Sequence, residues 1–250
     1  MIKVAVITGS SGGIGQALVN TYLNDGYFVL GLDINPSKSP ISDLYAEIDV
    51  NLHMFSKDIS YRDSILENIK EILPEKVNKF VLINNAAEQI LKSVAEIQWQ
   101  DWENSLAVNT VAPFFLVQGL TEELIASSGH VINISSIHAK LTKKNFTCYS
   151  ASKSALEAVT RSLALEISSM GVSVNAIAPA AISTEMLKAS FNDDPKKLLE
   201  LESYHPSASI GTPEQVAIFA KSITDQKCGF LTGAVFDFNG GISGRLHDPS

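Results

Sequence analysis

Cysteine is nearly absent from this chain. Only Cys148 and Cys228 occur among its 250 residues, too few for a disulfide framework and without metal-site spacing. Two reduced, buried thiols fit the pair best. Basic charge is short as well: 19 Lys and Arg face 27 Asp and Glu, for a formal net charge of -8. A surface of that sign repels phosphate backbones, so nucleic acid is not an expected partner. A nucleotide stays open, because backbone amides at a helix N-terminus hold phosphate without net positive charge. Long apolar runs are missing too. The first, VAVIT, ends at glycines and is too short for a membrane span or a leader peptide core. No linker, repeat or low-complexity segment appears, and 45% hydrophobic residues argue against disorder. These absences leave a soluble, cytoplasmic protein, read as one domain over 1–250 with no membrane partner.

What is present is a regular alternation. Short β-branched runs at 3–8, 28–33, 53–58, 80–84, 131–135, 172–177 and 234–238 read as strands. Amphipathic stretches at 13–24, 61–73, 101–127, 148–169 and 213–224 read as helices between them. The inner strands are apolar nearly throughout, as a sheet covered on both faces requires. The pattern predicts an α/β fold with a doubly wound parallel sheet and helices on both faces. Residues 180–209 differ: they carry more charge and an Asp193-Asp194-Pro195 breaker, and should hold one or two short helices. They form either a lid near the ligand or a solvated excursion.

Thr8-Gly9-Ser10-Ser11-Gly12-Gly13-Ile14-Gly15 follows the first strand and opens the first helix. Gly9 permits the turn, Gly13 lets backbone approach a pyrophosphate, and Gly15 allows close helix–strand packing. Asp33 ends the second strand, 18 residues after Gly15. A carboxylate there accepts hydrogen bonds from adenosine ribose hydroxyls and repels a 2′-phosphate. Ile34 follows it, and the nearest basic residue is Lys38, which predicts NAD(H) over NADP(H).

Tyr149 and Lys153 stand at i and i+4 on one helix face. About 0.4 such pairs arise by chance in a chain of this content, so the motif needs context. Ser136 supplies it, 13 residues before Tyr149, where the fifth strand ends and open α/β sheets place their chemistry.

Together these segments resemble the short-chain dehydrogenase/reductase family. TGSSGGIG, Asp58-Ile59, Asn84-Asn85-Ala86, Asn109, Ser136, Tyr149-x-x-x-Lys153, Asn175-Ala-Ile-Ala-Pro179 and Asn239-Gly240-Gly241 carry the likeness over nearly the whole length. The resemblance implies a seven-stranded Rossmann sheet and reversible hydride transfer between a nicotinamide cofactor and an alcohol/carbonyl pair. It makes Tyr149 the general acid/base and Lys153 the cation that favours its phenolate and meets the nicotinamide ribose. Ser136 would hold the substrate oxygen, and Asn109 would mark a helix irregularity whose carbonyl organises water toward the lysine.

The same likeness implies cofactor contacts from Gly9, Ser11, Gly13, Ile14, Gly15, Asp33 and Ile34. It extends them to Asp58 and Ile59 at the adenine, to Asn85, Ala86 and Ala87, to Tyr149 and Lys153, and to Pro179, Ile182 and Thr184 near the nicotinamide. Ala87 and Ala180 stand where the family often has Gly, which puts local pocket geometry in question. His138 either lines the substrate pocket or is an ordinary loop histidine. Met186, Leu187, Phe191, Leu198 and Leu201 offer apolar lid contacts. No Arg cluster for a phosphorylated or carrier-bound substrate is evident, which leaves a neutral polyol, sugar or hydroxy compound. No metal is expected, and the resemblance implies a homodimer or homotetramer. A 3-oxoacyl-thioester reductase and a non-catalytic nucleotide sensor are the alternatives.

Overall fold

Side chains along a strand alternate between its two faces, and in this chain both sets are apolar. Val4 and Val6 of β1 (Lys3–Thr8) join one buried cluster with Leu30, Leu82 and Val131, while Ala5 and Ile7 join a second with Val29, Val81 and Ile132. Neither face can stay wet, so helices cover both. The computed structural model, which describes residues 1–36, 42–191, 194–226 and 229–245, has a parallel sheet in the order β3-β2-β1-β4-β5-β6-β7. Its other strands are β2 (Phe28–Asp33), β3 (Tyr45–Asp49), β4 (Lys79–Asn84), β5 (His130–Ile134), β6 (Ser173–Pro179) and β7 (Val235–Phe238). The chain reverses its winding between β1 and β4, which opens a crevice at their carboxyl ends.

The helices are α1 (Gly13–Asn24), α2 (Leu52–Lys57), α3 (Ile59–Ile72), α4 (Trp99–Leu106) and α5 (Ala112–Gly119). After them come α6 (Thr121–Ala126), α7 (Thr147–Ile167), α8 (Glu185–Ser190), α9 (Pro195–Ser203) and α10 (Pro213–Thr224). Leu18 of α1 and Ala217 of α10 close one face of the sheet; Phe55, Ile65, Leu116, Leu124 and Leu163 from α2, α3, α5, α6 and α7 close the other. Fully burying a Leu or Phe side chain stabilises by about 1.5–3 kcal/mol, which makes the two clusters the main cohesion of the fold. Among the described residues no helix is long and apolar enough to cross a membrane.

Three expectations change. The third strand is not 53–58 but Tyr45–Asp49, paired with β2 so that Asp49 lies opposite Asp33. Residues 52–57 are helical because the Asn51 side chain caps them, accepting from His53 N and Met54 N, while Phe55 is fully buried. Asp58 and Ile59 therefore sit at a helix–helix junction: Asp58 caps α3 by accepting from Tyr61 N at 3.1 Å, and Ile59 is exposed. The position at the strand end belongs to Asp49 and Val50. Next, the expected helix 101–127 is broken into α4, α5 and α6, with a π-helical turn over Ala107–Val111. Pro113 lacks the N–H that would donate to the Asn109 carbonyl four residues back, so the α pattern cannot run through. Residues 180–209 do carry two short helices, α8 and α9. Lys38, Asp193, Cys228 and the side chain of Met186 lie outside the described residues.

Candidate active site

The glycine-rich turn is held from behind. Thr8 Oγ1 accepts from Asn85 N and Ala86 N, each at 3.0 Å, and Asn85 Nδ2 donates to the carbonyls of Thr8 and Gly9. Gly9 has φ +66°, and a Cβ on Gly15 would lie 1.9 Å from its carbonyl oxygen. No side chain fits at Gly15. Gly12 caps α1 without any side-chain hydrogen bond, which leaves the first amides of that helix for an outside acceptor. A Cβ on Gly13 would meet the Thr184 side chain at 3.1 Å, so the turn and the segment after β6 face each other across a narrow gap. That segment is braced by Ile182, buried and bridged to Gly211. Ile14 opens α1 and is packed against the cluster beneath it. This cradle, with uncapped amides and no room for side chains, fits a dinucleotide pyrophosphate. Ala87 and Ala180 are not among the residues with positive φ, so their methyl groups bring no backbone strain.

Asp33 stands at the far end of the turn. Its carboxylate accepts from Ser11 N at 3.0 Å and from Asn35 N at 2.9 Å, while Ile34 points to solvent. Asp49 and Val50 lie beside it, and Val50 N donates to the Asp33 carbonyl.

On the other side of the crevice, one turn of α7 meets the end of β5. Tyr149 and Lys153 lie one helical turn apart on the buried face of α7, 9% and 2% exposed. Ser136 follows β5 and hydrogen-bonds the Tyr149 phenol; its Oγ also accepts from His138 N at 3.2 Å. Lys153 Nζ donates to the Ile134 carbonyl at 2.7 Å and lies 5.8 Å from the centre of the Tyr149 ring. Burial raises the Tyr149 phenol above its ordinary value, and the Ser136 hydrogen bond pulls the other way. Burial lowers Lys153 to about 7. A phenol, a hydroxyl and a lysine amine so close together can bind an oxygen and exchange its proton.

Asn109 is fully buried in the π turn. Its amide accepts from Glu88 N and donates to Glu88 O, both at 2.8 Å, and donates to Ser152 Oγ at 2.9 Å. Ser152 in turn donates to the Tyr149 carbonyl at 2.8 Å, which ties the π turn to the helix turn bearing the tyrosine. Asn109→Ala strips both Glu88 backbone groups of their partner. We expect about 1–3 kcal/mol of destabilisation in urea unfolding, with reduced turnover.

His138 stacks on Phe146 with ring centres 4.1 Å apart, and both rings meet Tyr149 edge-on. Burial, aided by Lys143, lowers His138 to about 4, so its ring is neutral at physiological pH. Phe146 and Ser152 were not legible as site residues, since nothing in their types marks them. Cys148, adjacent to Tyr149 in sequence, is buried with its thiol pushed up by burial, as an inert core residue would be. Among the described residues no three His, Cys, Asp or Glu are grouped to hold a metal ion.

A doubly wound parallel sheet with a side-chain-free phosphate cradle facing a buried Tyr–Lys–Ser cluster defines a nucleotide-binding oxidoreductase of Rossmann type. Residues 3–195 match the family model for short chain dehydrogenases, and the chain belongs to that family. An NAD-dependent glycerol dehydrogenase of Listeria innocua is 29% identical, with 96% of this chain and 94% of that protein covered. A 3-oxoacyl-(acyl-carrier-protein) reductase of Buchnera aphidicola is 30% identical, over 96% and 97% respectively. The ligand-free aldohexose dehydrogenase of Thermoplasma acidophilum superposes with a TM-score of 0.87 at 26% identity, covering 100% of this chain and 98% of that one.

Proposed function

We propose that the protein is an NAD(H)-dependent oxidoreductase interconverting a secondary alcohol and a carbonyl, with Tyr149 as general acid/base. The observation that carries this reading is the Tyr149–Ser136 hydrogen bond beside the buried Lys153 side chain. A bound nicotinamide dinucleotide supplies the hydride acceptor or donor. Everything else falls to the chain. Ser136 holds the substrate oxygen by its hydroxyl. In alcohol oxidation Tyr149 takes the hydroxyl proton; in carbonyl reduction it donates a proton to the alkoxide. Protonated Lys153, which its lowered value places at about pH 7 and below, favours the phenolate by setting a positive charge beneath it. Gly9, Gly13, Ile14 and Gly15 hold the pyrophosphate, and Ser11 meets the dinucleotide at the ribose end of the turn. Asp33 and Ile34 meet the adenosine ribose, with Asn85, Ala86 and Ala87 beside it. Pro179, Ile182 and Thr184 meet the nicotinamide end. Asp49 and Val50 take the adenine position first expected for Asp58 and Ile59.

His138, neutral and stacked on Phe146, forms one wall of the substrate site and suits an uncharged hydroxyl-bearing substrate. The glycerol and aldohexose dehydrogenases among the relatives support a polyol or sugar. The Buchnera relative favours a second reading, a 3-oxoacyl-thioester reductase. A panel of secondary alcohols, sugars and a 3-oxoacyl thioester, each with both dinucleotides, separates the two. The expected result is turnover of a polyhydroxy substrate, with kcat/KM for NAD above that for NADP by roughly a hundredfold, the scale of a like-charge clash. Comparable efficiency with NADP would sink the cofactor assignment.

A further inference from the structure

Asp33 is not the only carboxylate at the ribose end of the glycine-rich turn. Glu47 lies on β3 opposite Gly31 of β2. Its Oε1 accepts from Ser10 Oγ at 2.5 Å and from Ser11 Oγ at 3.1 Å, and the Tyr45 hydroxyl bonds to both Glu47 and Ser10. The sequence makes room for this network at one position. A Cβ on Gly31 would lie 2.6 Å from Ser10 Oγ and 2.8 Å from the Tyr45 hydroxyl, so a side-chain-bearing residue there would push the network apart.

The donors at the Ser10–Ser11 end of the turn are consequently spoken for. Ser11 N points to Asp33, Ser10 Oγ to Glu47, and Ser11 Oγ is shared between Glu47 and the Asn35 carbonyl at 3.1 Å. These are the groups that an anion at this end of the turn would need. A ribose hydroxyl can donate to a carboxylate; a 2′-phosphate can only accept. The phosphate would therefore find two negative charges and donors already committed to them.

We propose that Glu47 is a second determinant of dinucleotide choice, acting with Asp33 to exclude a 2′-phosphate. The inference rests on the NAD reading above and extends it: removing Asp33 alone leaves Glu47 holding both serine hydroxyls. Cofactor preference is thus encoded on two adjacent strands, not at one strand end.

The test is binding, independent of turnover. Kd values for NADH and NADPH are measured by nucleotide fluorescence for the wild type, Asp33→Asn, Glu47→Gln and the double variant. We expect Asp33→Asn to tighten NADPH binding by about tenfold, and Glu47→Gln on that background to tighten it by roughly another tenfold, each the effect of relieving one partly screened repulsion. An unchanged NADPH Kd between Asp33→Asn and the double variant overturns the role of Glu47. A wild type that binds NADPH as tightly as NADH overturns the NAD reading instead, and the increment from Glu47 is still read separately in the Asp33→Asn background. Ligand-free melting curves check folding. If the glutamine variant is unfolded, Glu47→Thr, uncharged and compatible with a strand, replaces it under the same criterion.

Discussion

Tyr149→Phe should lower kcat/KM by about 100- to 10,000-fold, the range for losing a positioned general acid/base. The substitution deletes the phenolic oxygen and keeps the ring. The ring is what packs edge-on against His138 and Phe146, so the fold and the wall of the pocket should survive. Ser136 loses one hydrogen-bond partner but keeps its contact with His138 N. Dinucleotide binding should persist, because the glycine-rich cradle is on the far side of the crevice. Steady-state kinetics on a substrate from the panel, with NADH fluorescence titration alongside, separates the two effects. Turnover near that of the wild type would overturn the assignment of Tyr149; loss of dinucleotide binding would mean that the tyrosine is structural.

Lys153→Met should act in opposite directions on activity and stability. Without the lysine, the charge that its protonated form sets beneath the phenol is lost, so turnover at pH 7 and below should fall at least about a hundredfold. Stability follows from burial. Lys153 is lowered from 10.5 to about 7 by desolvation, so between those values the unfolded chain binds a proton that the native chain does not. Native stability from this group therefore rises with pH from about 7 to 10.5, by on the order of 3–5 kcal/mol. Methionine abolishes that dependence. At pH 6 the variant should be the more stable protein, since it no longer buries a charge. Near pH 10 the advantage should vanish, or reverse by about 1–3 kcal/mol, because the Ile134 carbonyl has lost its donor. Urea unfolding at the two pH values reads this directly; a pH-independent difference between the proteins would contradict it.

Legibility differed by element for physical reasons. The strands buried on both faces, such as VAVIT and VINI, were readable because no water-facing position interrupts them. β3 is an edge strand, only partly buried, and its YAEID carries two acids and a single β-branched residue. It therefore resembles a loop, while the 53–58 segment with its Phe55 resembles a strand. That displaced strand end is why Asp58 and Ile59, and not Asp49 and Val50, were expected at the end of the third strand. The interruption at Asn109 was expected only from resemblance. Pro113, four residues on, was the physical signal for it.

The amino-acid order by itself determined the family, the doubly wound sheet, the phosphate cradle and the spacing of Tyr149 and Lys153. Each of these depends on neighbours along the chain: nearly continuous apolar strands, glycines at a turn, a pair one helical turn apart. Tertiary structure alone decided what meets across elements. It brought Glu47 of β3 under Ser10 and Ser11, Asn109 of the π turn against Ser152, and Phe146 under His138. The first two join residues far apart in sequence, the third lies within one loop, and in all three the residue types are unremarkable, so their chemistry exists only once the fold has placed them together.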